Sequence, residues 1–90
     1  MVKRQLEKGA DVTARDNNGW TPLHWASREG KTDVVEVLLG SCADIDARNN
    51  DNSTSLILAS WQGHTETIRL LVQKGADFTA KNKWGNTALI

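Results

Sequence analysis

Apolar and turn-forming residues recur along this chain with a period of 33 residues. The segment at 6–12 returns at 39–45 and again at 72–78, each time with an Ala-Asp pair at the same place and without a gap. A fixed period of roughly 20 to 50 residues is typical of a solenoid built from stacked units. We therefore predict one array over 1–90, divided into a partial unit at 1–16, complete units at 17–49 and 50–82, and a partial unit at 83–90.

The first half of each complete unit predicts a short amphipathic helix. Thr21 is placed to cap a helix whose first residue is Pro22, where the missing proline N–H does no harm. Two apolar residues follow at i, i+3 spacing in each unit, which predicts one buried face. These residues are Leu23 and Ala26 in the first unit, and Leu56 and Ala59 in the second.

A second, more apolar helix is predicted after a glycine, Gly30 or Gly63. We expect Thr32 and Thr65 to start it with a hydroxyl cap, followed by an acidic residue at the positive helix end. This helix is too apolar to stand alone, so the units must bury their faces against each other. The pattern thus predicts an all-α row of helix pairs with projecting turns.

Residues 21–26 read Thr-Pro-Leu-His-Trp-Ala, which resembles the ankyrin signature T-P-L-H-x-A, and the period is also that of ankyrin repeats. The resemblance extends over the whole chain. It implies an all-α ankyrin-repeat solenoid of stacked helix-turn-helix units with projecting β-hairpin-like turns. It also implies a protein-protein interaction module, and a structural role for His24 as a hydrogen-bond partner of the turn backbone.

The chain departs from the ankyrin pattern at four positions, where Cys42 and Asn52 replace glycines, Ser55 replaces proline and Ile57 replaces histidine. We expect the second complete unit to be the less stable one. A left-handed Cys42 would cost about 1 kcal/mol relative to glycine. We expect the local backbone to adjust instead.

The composition argues against several classes of function. Eleven basic and eleven acidic residues cancel, so no bulk field draws the chain to nucleic acid or to an anionic membrane. A single cysteine and an N-terminal sequence without an apolar stretch favour an intracellular setting, cytoplasmic or nuclear.

Candidate chemistry is equally sparse. The soft metal ligands His24, Cys42 and His64 lack the spacing of a metal site. Asp11, Asp44 and Asp77 recur once per unit with no base beside them, which favours structural aspartates. We therefore predict no catalytic residue, no metal and no cofactor, and the chain is not expected to be an enzyme.

Alignment of the units separates candidate contact residues from candidate core residues. Trp25 aligns with Leu58, so we interpret Trp25 as a packing residue. The other three tryptophans share their positions with polar or charged residues: Trp20 with Ser53, Trp61 with Arg28, and Trp84 with Asp51. Exposed tryptophans and arginines are typical of interface hot spots, so these three are predicted to contact a partner.

One cation per unit, Arg15, Arg48 and Lys81, extends this predicted surface at the turns. Arg28 belongs to the same surface, with Glu29 and Asp51 at its limits. Such a strip suits an acidic, partly apolar segment of a protein partner. The other interpretation of these cations is solvated surface.

Two other functions remain open at this stage, a spacer segment of a longer repeat protein and, more remotely, single-stranded nucleic-acid binding by stacked tryptophans among cations. Both chain ends fall inside a unit and carry apolar residues, Val2, Leu6, Leu89 and Ile90. Either the native array continues, or copies associate weakly head to tail into open filaments.

Overall fold

The computed structural model of the chain describes residues 12–88. They form four α-helices and, within that range, no β-strand. The helices are α1 (Pro22–Arg28), α2 (Thr32–Gly40), α3 (Ser55–Trp61) and α4 (Thr65–Gln73). Because α3 and α4 repeat the bounds of α1 and α2 at an offset of 33 residues, the all-α repeat prediction is confirmed.

The first helices begin as the sequence predicts. Thr21 has an extended backbone, and its hydroxyl oxygen accepts a hydrogen bond from the His24 N–H at 3.3 Å, while Pro22 takes the first helical position. Thr54 does the same for Ile57, also at 3.3 Å. Gly30 and Gly63 follow these helices with φ of +71°, a conformation that glycine adopts without strain.

The second helices begin differently from the prediction. Lys31 and His64 occupy the cap positions and make no side-chain cap hydrogen bond, so the predicted hydroxyl caps at Thr32 and Thr65 are wrong. Both threonines lie at the first helical position, one residue too late to cap. The Thr32 hydroxyl instead lies 2.9 Å from the Thr67 hydroxyl of the next unit. The acidic residues of the first turn, Asp33 and Glu66, are where the sequence predicts them.

The helices form two rows. α1 packs against α3 in one row, α2 packs against α4 in the other, and each unit's two helices pack against each other. The core between the rows is apolar and close to fully buried, as the i, i+3 pattern predicts. Its members are Leu23, Ala26, Val35, Leu38, Leu56, Ala59, Leu71 and Ala76.

The turns between the units are joined to each other by backbone hydrogen bonds. The turns at 16–20, 49–53 and 82–86 each have two internal backbone bonds, one of which crosses the base at 3.0 Å, for example from the Asn49 N–H to the Ser53 carbonyl. One further bond links each tip to the next, from Asn50 to Asn18 at 3.0 Å and from Lys83 to Asp51 at 2.9 Å. We call these two tip-to-tip bonds the turn ladder. They align the projecting turns on one side of the array.

Two residues with side chains adopt the left-handed conformation where the ankyrin pattern has glycine. Cys42 has φ of +71° and Asn52 has φ of +61°. The expectation that the backbone adjusts around Cys42 is therefore wrong, because the helix end requires this conformation more strongly than the side chain opposes it. Asn52 is less strained because asparagine tolerates the left-handed region.

The apolar chain ends, Val2, Leu6, Leu89 and Ile90, lie outside the described residues. Head-to-tail association through them stays a prediction, as does the lower stability of the second unit. No helix in the part of the chain that is described is long and apolar enough to cross a membrane.

Candidate protein-interaction face

Trp25 is exposed, so its interpretation as a packing residue is wrong. Its side chain retains 46% of its accessible surface, whereas Leu58, at the same position of the next unit, retains 5%. The two residues share a backbone position but not their neighbours. Leu58 stands on α3, which packs against α1, and within residues 12–88 no helix lies on the corresponding side of α1.

The exposed Trp25 joins Trp20 to form an aromatic pair. Their ring centroids are 4.5 Å apart with the planes tilted by 42°. The Trp25 indole N–H donates to Asp16 Oδ2 at 3.2 Å, and Asp16 Oδ1 accepts from the Trp20 backbone N–H at 2.9 Å. The Trp20 N–H, more than any other group, lowers the pKa of Asp16. One carboxylate thus joins the Trp25 ring to the backbone of the turn at Trp20.

A cation covers this first pair. The Arg28 guanidinium carbon lies 6.0 Å from the ring centroids of both Trp20 and Trp25, at the limit of cation–π contact. Arg28 Nη1 also donates to Glu29 Oε2 at 2.9 Å, and both side chains are about half exposed. We call this set the upstream cluster; it comprises Asp16, Trp20, Trp25, Arg28 and Glu29.

A second pair forms between the end of α3 and the tip of the next turn. Trp61 and Trp84 have 45% and 58% of their surface exposed, and their ring centroids are 6.2 Å apart with a tilt of 48°. Lys83 Nζ lies 4.8 Å from the Trp84 centroid and 2.9 Å from Asp51 Oδ1. We call Asp51, Trp61, Lys83 and Trp84 the downstream cluster.

The two pairs differ in their hydrogen bonding. Trp25 donates its indole N–H to Asp16. Within residues 12–88, the indole N–H groups of Trp20, Trp61 and Trp84 make no hydrogen bond, and the side chains of Trp61 and Trp84 are about half exposed. Among these residues, the downstream pair therefore has two unpaired indole N–H groups and the upstream pair has one.

Two of the three predicted cations, Arg15 and Arg48, donate hydrogen bonds to backbone carbonyls of the turns. Arg15 Nη1 donates to the Gly19 carbonyl at 2.9 Å and to the Arg48 carbonyl of the next unit at 2.6 Å. Arg48 Nη1 repeats the contact with the Lys81 carbonyl at 3.0 Å. These arginines join successive units along the turn ladder. A contact between this row and a partner stays a prediction.

His24 has the structural role that the ankyrin resemblance implies. The ring is fully buried; its Nδ1 accepts from the Thr21 N–H at 2.8 Å, so Nε2 carries the proton. Nε2 donates to the Ala47 carbonyl at 3.0 Å and lies 3.2 Å from the Ser53 carbonyl. Burial lowers the pKa of His24 because the charged form would lose its hydration. One neutral ring thus binds α1 to the following turn.

Among the remaining candidate residues, Asp44, His64 and Asp77 bond backbone groups, and Asp11 lies outside the described residues. Asp44 Oδ1 accepts from the Asp46 N–H, and Asp77 Oδ1 accepts from the Thr79 N–H, so both stabilise turns. His64 Nε2 donates to the Arg28 carbonyl at 2.8 Å across units. Among the described residues, no three histidine, cysteine, aspartate or glutamate side chains are grouped as a metal ion would require.

An apolar groove of about 520 Å³ opens beside the upstream cluster, between α1 and α2. Its wall includes Pro22, Trp25, Ala26, Val34 and Leu38. Sequence reasoning missed both this groove and the partners of the rings, Asp16 and Lys83. The only local signal for the latter two was their position in the turns that also carry Trp20 and Trp84.

Comparisons with known proteins agree with this geometry. Residues 1–82 match the family model described as ankyrin repeats in three copies. Similar segments occur in the protein VAPYRIN-LIKE of Medicago truncatula, with 53% identity over 36 residues, 40% of this chain and 8% of that protein. The mouse 2-5A-dependent ribonuclease is 54% identical over 39 residues, 42% of this chain and 5% of that protein.

Human protein phosphatase 1 regulatory subunit 27 is 46% identical over 38 residues, 42% of this chain and 25% of that protein. In all three cases the similarity spans a quarter or less of the relative's length. Ankyrin repeats in general are protein-protein interaction modules and are typically not catalytic themselves. With its matching period, helix pairs and buried turn histidine, this chain belongs to the ankyrin-repeat family.

Proposed function

We propose that this array binds a protein partner through the face formed by the upstream and downstream clusters. The observation that carries the proposal is the grouping of all four tryptophans into two pairs beside the projecting turns. Three of these rings are roughly half exposed, at 46%, 45% and 58%. Water-exposed aromatic surface of this extent is characteristic of binding sites, and tryptophan and arginine dominate interface energies.

The proposed partner carries an acidic, partly apolar segment. Arg28 lies on the first ring pair, and Arg15, Arg48 and Lys81 follow the turns, with Glu29 and Asp51 at the edges. The proposal includes the unit boundaries at 17–49 and 50–82 and an intracellular location, cytoplasmic or nuclear. It assigns no catalytic step and no cofactor to the array.

The decisive variant removes Trp61 and Trp84 together, each replaced by alanine. Trp20 is retained because it is partly buried against Trp25 and His24, and its loss would also affect folding. Phe78→Ala is the matched control, since Phe78 is an aromatic residue with 45% exposure outside both clusters. Circular dichroism establishes that all three proteins fold.

A partner is first isolated from cell lysate and identified, and its affinity for each protein is then measured by calorimetry. We expect the Trp61→Ala, Trp84→Ala variant to lose at least about tenfold in affinity, as removal of a hot spot does, and Phe78→Ala to bind like the parent chain. Equal affinities for all three would contradict the proposal.

A further inference from the structure

The first turn of the array contains the one Asn-Gly pair of the sequence, Asn18–Gly19. We propose that Asn18 is a site of spontaneous deamidation, that the closed turn restrains the reaction, and that the isoaspartyl product breaks the first bond of the turn ladder. This reaction is independent of the proposed binding function.

The reaction needs only the chain and water. The Gly19 backbone nitrogen gives its proton to a solvent base and attacks the side-chain carbonyl carbon of Asn18. A nitrogen–carbon bond forms, the bond to the side-chain amide nitrogen breaks, and ammonia leaves with a proton from solvent. Water then opens the resulting succinimide ring at either of its two carbonyls, which yields aspartate or isoaspartate. Glycine favours the attack because no Cβ hinders the approach of its nitrogen.

The Asn18 side chain is accessible for this reaction. It is exposed at the tip of the turn, and among residues 12–88 its amide group makes no hydrogen bond. By contrast, Asn49 and Asn82 are buried at the bases of the next two turns, and each side-chain oxygen accepts two backbone N–H groups. Neither of these is followed by glycine. Sequence and exposure therefore both select Asn18.

Hydrogen bonds hold the reacting peptide group in the closed turn. The Gly19 N–H donates to the Asp16 carbonyl at 3.0 Å, and this bond must break before the nitrogen can lose its proton. The Asn18 carbonyl accepts the Asn50 N–H at 3.0 Å, which restrains rotation of the same peptide group towards the side chain. Arg15 Nη1 donates to the Gly19 carbonyl at 2.9 Å. The attack therefore requires local opening of the first turn.

The next turn shows which product the ladder can hold. Asp51 occupies the position equivalent to Asn18, and its backbone carbonyl accepts the Lys83 N–H at 2.9 Å. An ordinary aspartate is therefore compatible with a ladder bond. The second turn also has no side-chain amide to lose at this position.

Isoaspartate differs because the main chain then runs through the former side chain. The main chain becomes longer by one methylene group, and the carbonyl that accepts the Asn50 N–H becomes part of a free carboxylate. The backbone of Gly19 already packs closely on Asn50, since a Cβ at Gly19 would lie 2.9 Å from the Asn50 nitrogen. A longer main chain displaces these groups, so the isoaspartyl form loses the bond between Asn50 and residue 18.

The first part of the test measures where and how fast the chain deamidates. The 90-residue chain is incubated in mildly alkaline buffer, with and without guanidinium chloride, and digested with trypsin. Cleavage after Arg15 and Arg28 releases peptide 16–28, whose asparagine, aspartate and isoaspartate forms are separated by chromatography and assigned by tandem mass spectrometry. We expect Asn18 to react before the other asparagines, and at least about tenfold more slowly in buffer than in denaturant, which corresponds to an opening free energy of about 1.4 kcal/mol.

The variant Arg15→Gln tests the restraint. It removes the hydrogen bonds from Arg15 to the carbonyls of Gly19 and Arg48. We expect Asn18 to deamidate about twofold to tenfold faster in buffer and at an unchanged rate in denaturant. Arg48→Gln is the matched control, because it removes the equivalent bond to the Lys81 carbonyl in the next turn and should leave the rate at Asn18 unchanged. Both arginines are exposed, so neither variant should prevent folding, which circular dichroism checks.

The second part of the test examines the product. The isoaspartyl form of the ¹⁵N-labelled chain is isolated by chromatography, and its amide hydrogen exchange is compared by NMR with that of Asn18→Asp, which has the same charge and an ordinary main chain. We expect the Asn50 amide to lose its protection in the isoaspartyl form and to keep it in Asn18→Asp. The Lys83 amide, at the second junction, should stay protected in both.

Four results would each overturn the inference. Equal rates in buffer and denaturant, or an unchanged rate in Arg15→Gln, would show that the turn does not restrain the reaction. Earlier deamidation at another asparagine, or none at Asn18, would reject the site. Equally slow exchange of the Asn50 amide in the isoaspartyl form and in Asn18→Asp would reject the effect on the ladder.

Discussion

The complete units 17–49 and 50–82 have the same helix pattern but stabilise it with different side chains. In the first, His24 joins Thr21 to the carbonyls of Ala47 and Ser53, so a polar ring fills the space between helix and turn. In the second, Ile57 takes that position and is 1% exposed. The comparison shows that the fold needs a buried side chain of this size there, and that hydrogen bonding is one of two ways to fill the space.

The same comparison extends to the tryptophan pairs. In the upstream pair, the Trp25 indole N–H donates to Asp16, and Arg28 lies 6.0 Å from both ring centroids. Among residues 12–88, the indole N–H groups of Trp61 and Trp84 have no acceptor. A donor that already has an acceptor adds little binding free energy when a ligand arrives. A donor without an acceptor adds more, because the ligand can supply one. The downstream pair is therefore the better anchor for an apolar group.

The largest expected effect comes from exchanging residues between the units. His24→Ile leaves the Thr21 N–H and two carbonyls buried without their partner, and should lower the free energy of unfolding by about 3 kcal/mol. Ile57→His meets equivalent backbone groups and should change it by about 1 kcal/mol or less. Urea unfolding measures both. Equal losses would mean that the second unit cannot supply those partners.

Two glycines with identical backbone conformation provide a second test. Gly30 and Gly63 both have φ of +71°, but a Cβ on Gly30 would lie 2.6 Å from His64 Nδ1, whereas one on Gly63 would meet nothing within 4 Å. We expect Gly63→Ala to cost about 1 kcal/mol from strain alone and Gly30→Ala about 2 to 3 kcal/mol because His64 must also move. Thermal unfolding measures both losses of stability. Equal losses for the two substitutions would contradict the role of His64 as a close neighbour of Gly30.

The pH dependence of stability should distinguish the units next. Burial lowers the pKa of His24 below its ordinary value of 6.5, so below that value the unfolded chain binds more protons than the folded one. The contribution of His24 to the free energy of unfolding is therefore fully present above pH 6.5. It declines as the pH falls, by at most about 1.4 kcal/mol per pH unit. His24→Gln, which retains His64, should show a flatter profile in urea unfolding at several pH values. An unchanged profile would mean that a group other than His24 causes the pH dependence of stability.

The smallest effect concerns the helix ends that follow α2 and α4. Cys42 and Gly75 occupy equivalent positions with φ of +71° and +94°. Cys42→Gly should raise the free energy of unfolding by about 1 kcal/mol, and Gly75→Ala should lower it by a similar amount. Denaturant titration of both variants checks the sign. A destabilising Cys42→Gly would show that the thiol makes a stabilising contact that outweighs its strain.

The period and the cap residues were sufficient to predict the helices. Thr21, Pro22 and Gly30 act within their own unit, so local chemistry determines what they do. The predicted caps at Thr32 and Thr65 lie one residue after the observed cap positions. Apolar periodicity does not locate a helix start to within one residue. Cys42 shows that a required backbone conformation can outweigh a residue preference.

The candidate face was harder to predict because its contacts cross between units. Alignment identifies equivalent backbone positions, and Trp25 and Leu58 are indeed equivalent, but their burial depends on what packs beside each helix. The Trp61–Trp84 pair joins residues that are distant in sequence, so only the stacked fold brings them together. The same applies to the arginine contacts from Arg15 to Arg48 and from Arg48 to Lys81.

The turn ladder also makes the junctions between units individually observable. Its two bonds use one backbone amide each, that of Asn50 at the first junction and that of Lys83 at the second. Amide hydrogens exchange with solvent when their bond opens, so each of these two amides reports the opening of its own tip-to-tip bond. A ligand that binds both clusters would slow exchange of the Lys83 amide hydrogen, because Lys83 belongs to the downstream cluster. Opening of the turns at one junction could thus be followed without unfolding the whole array.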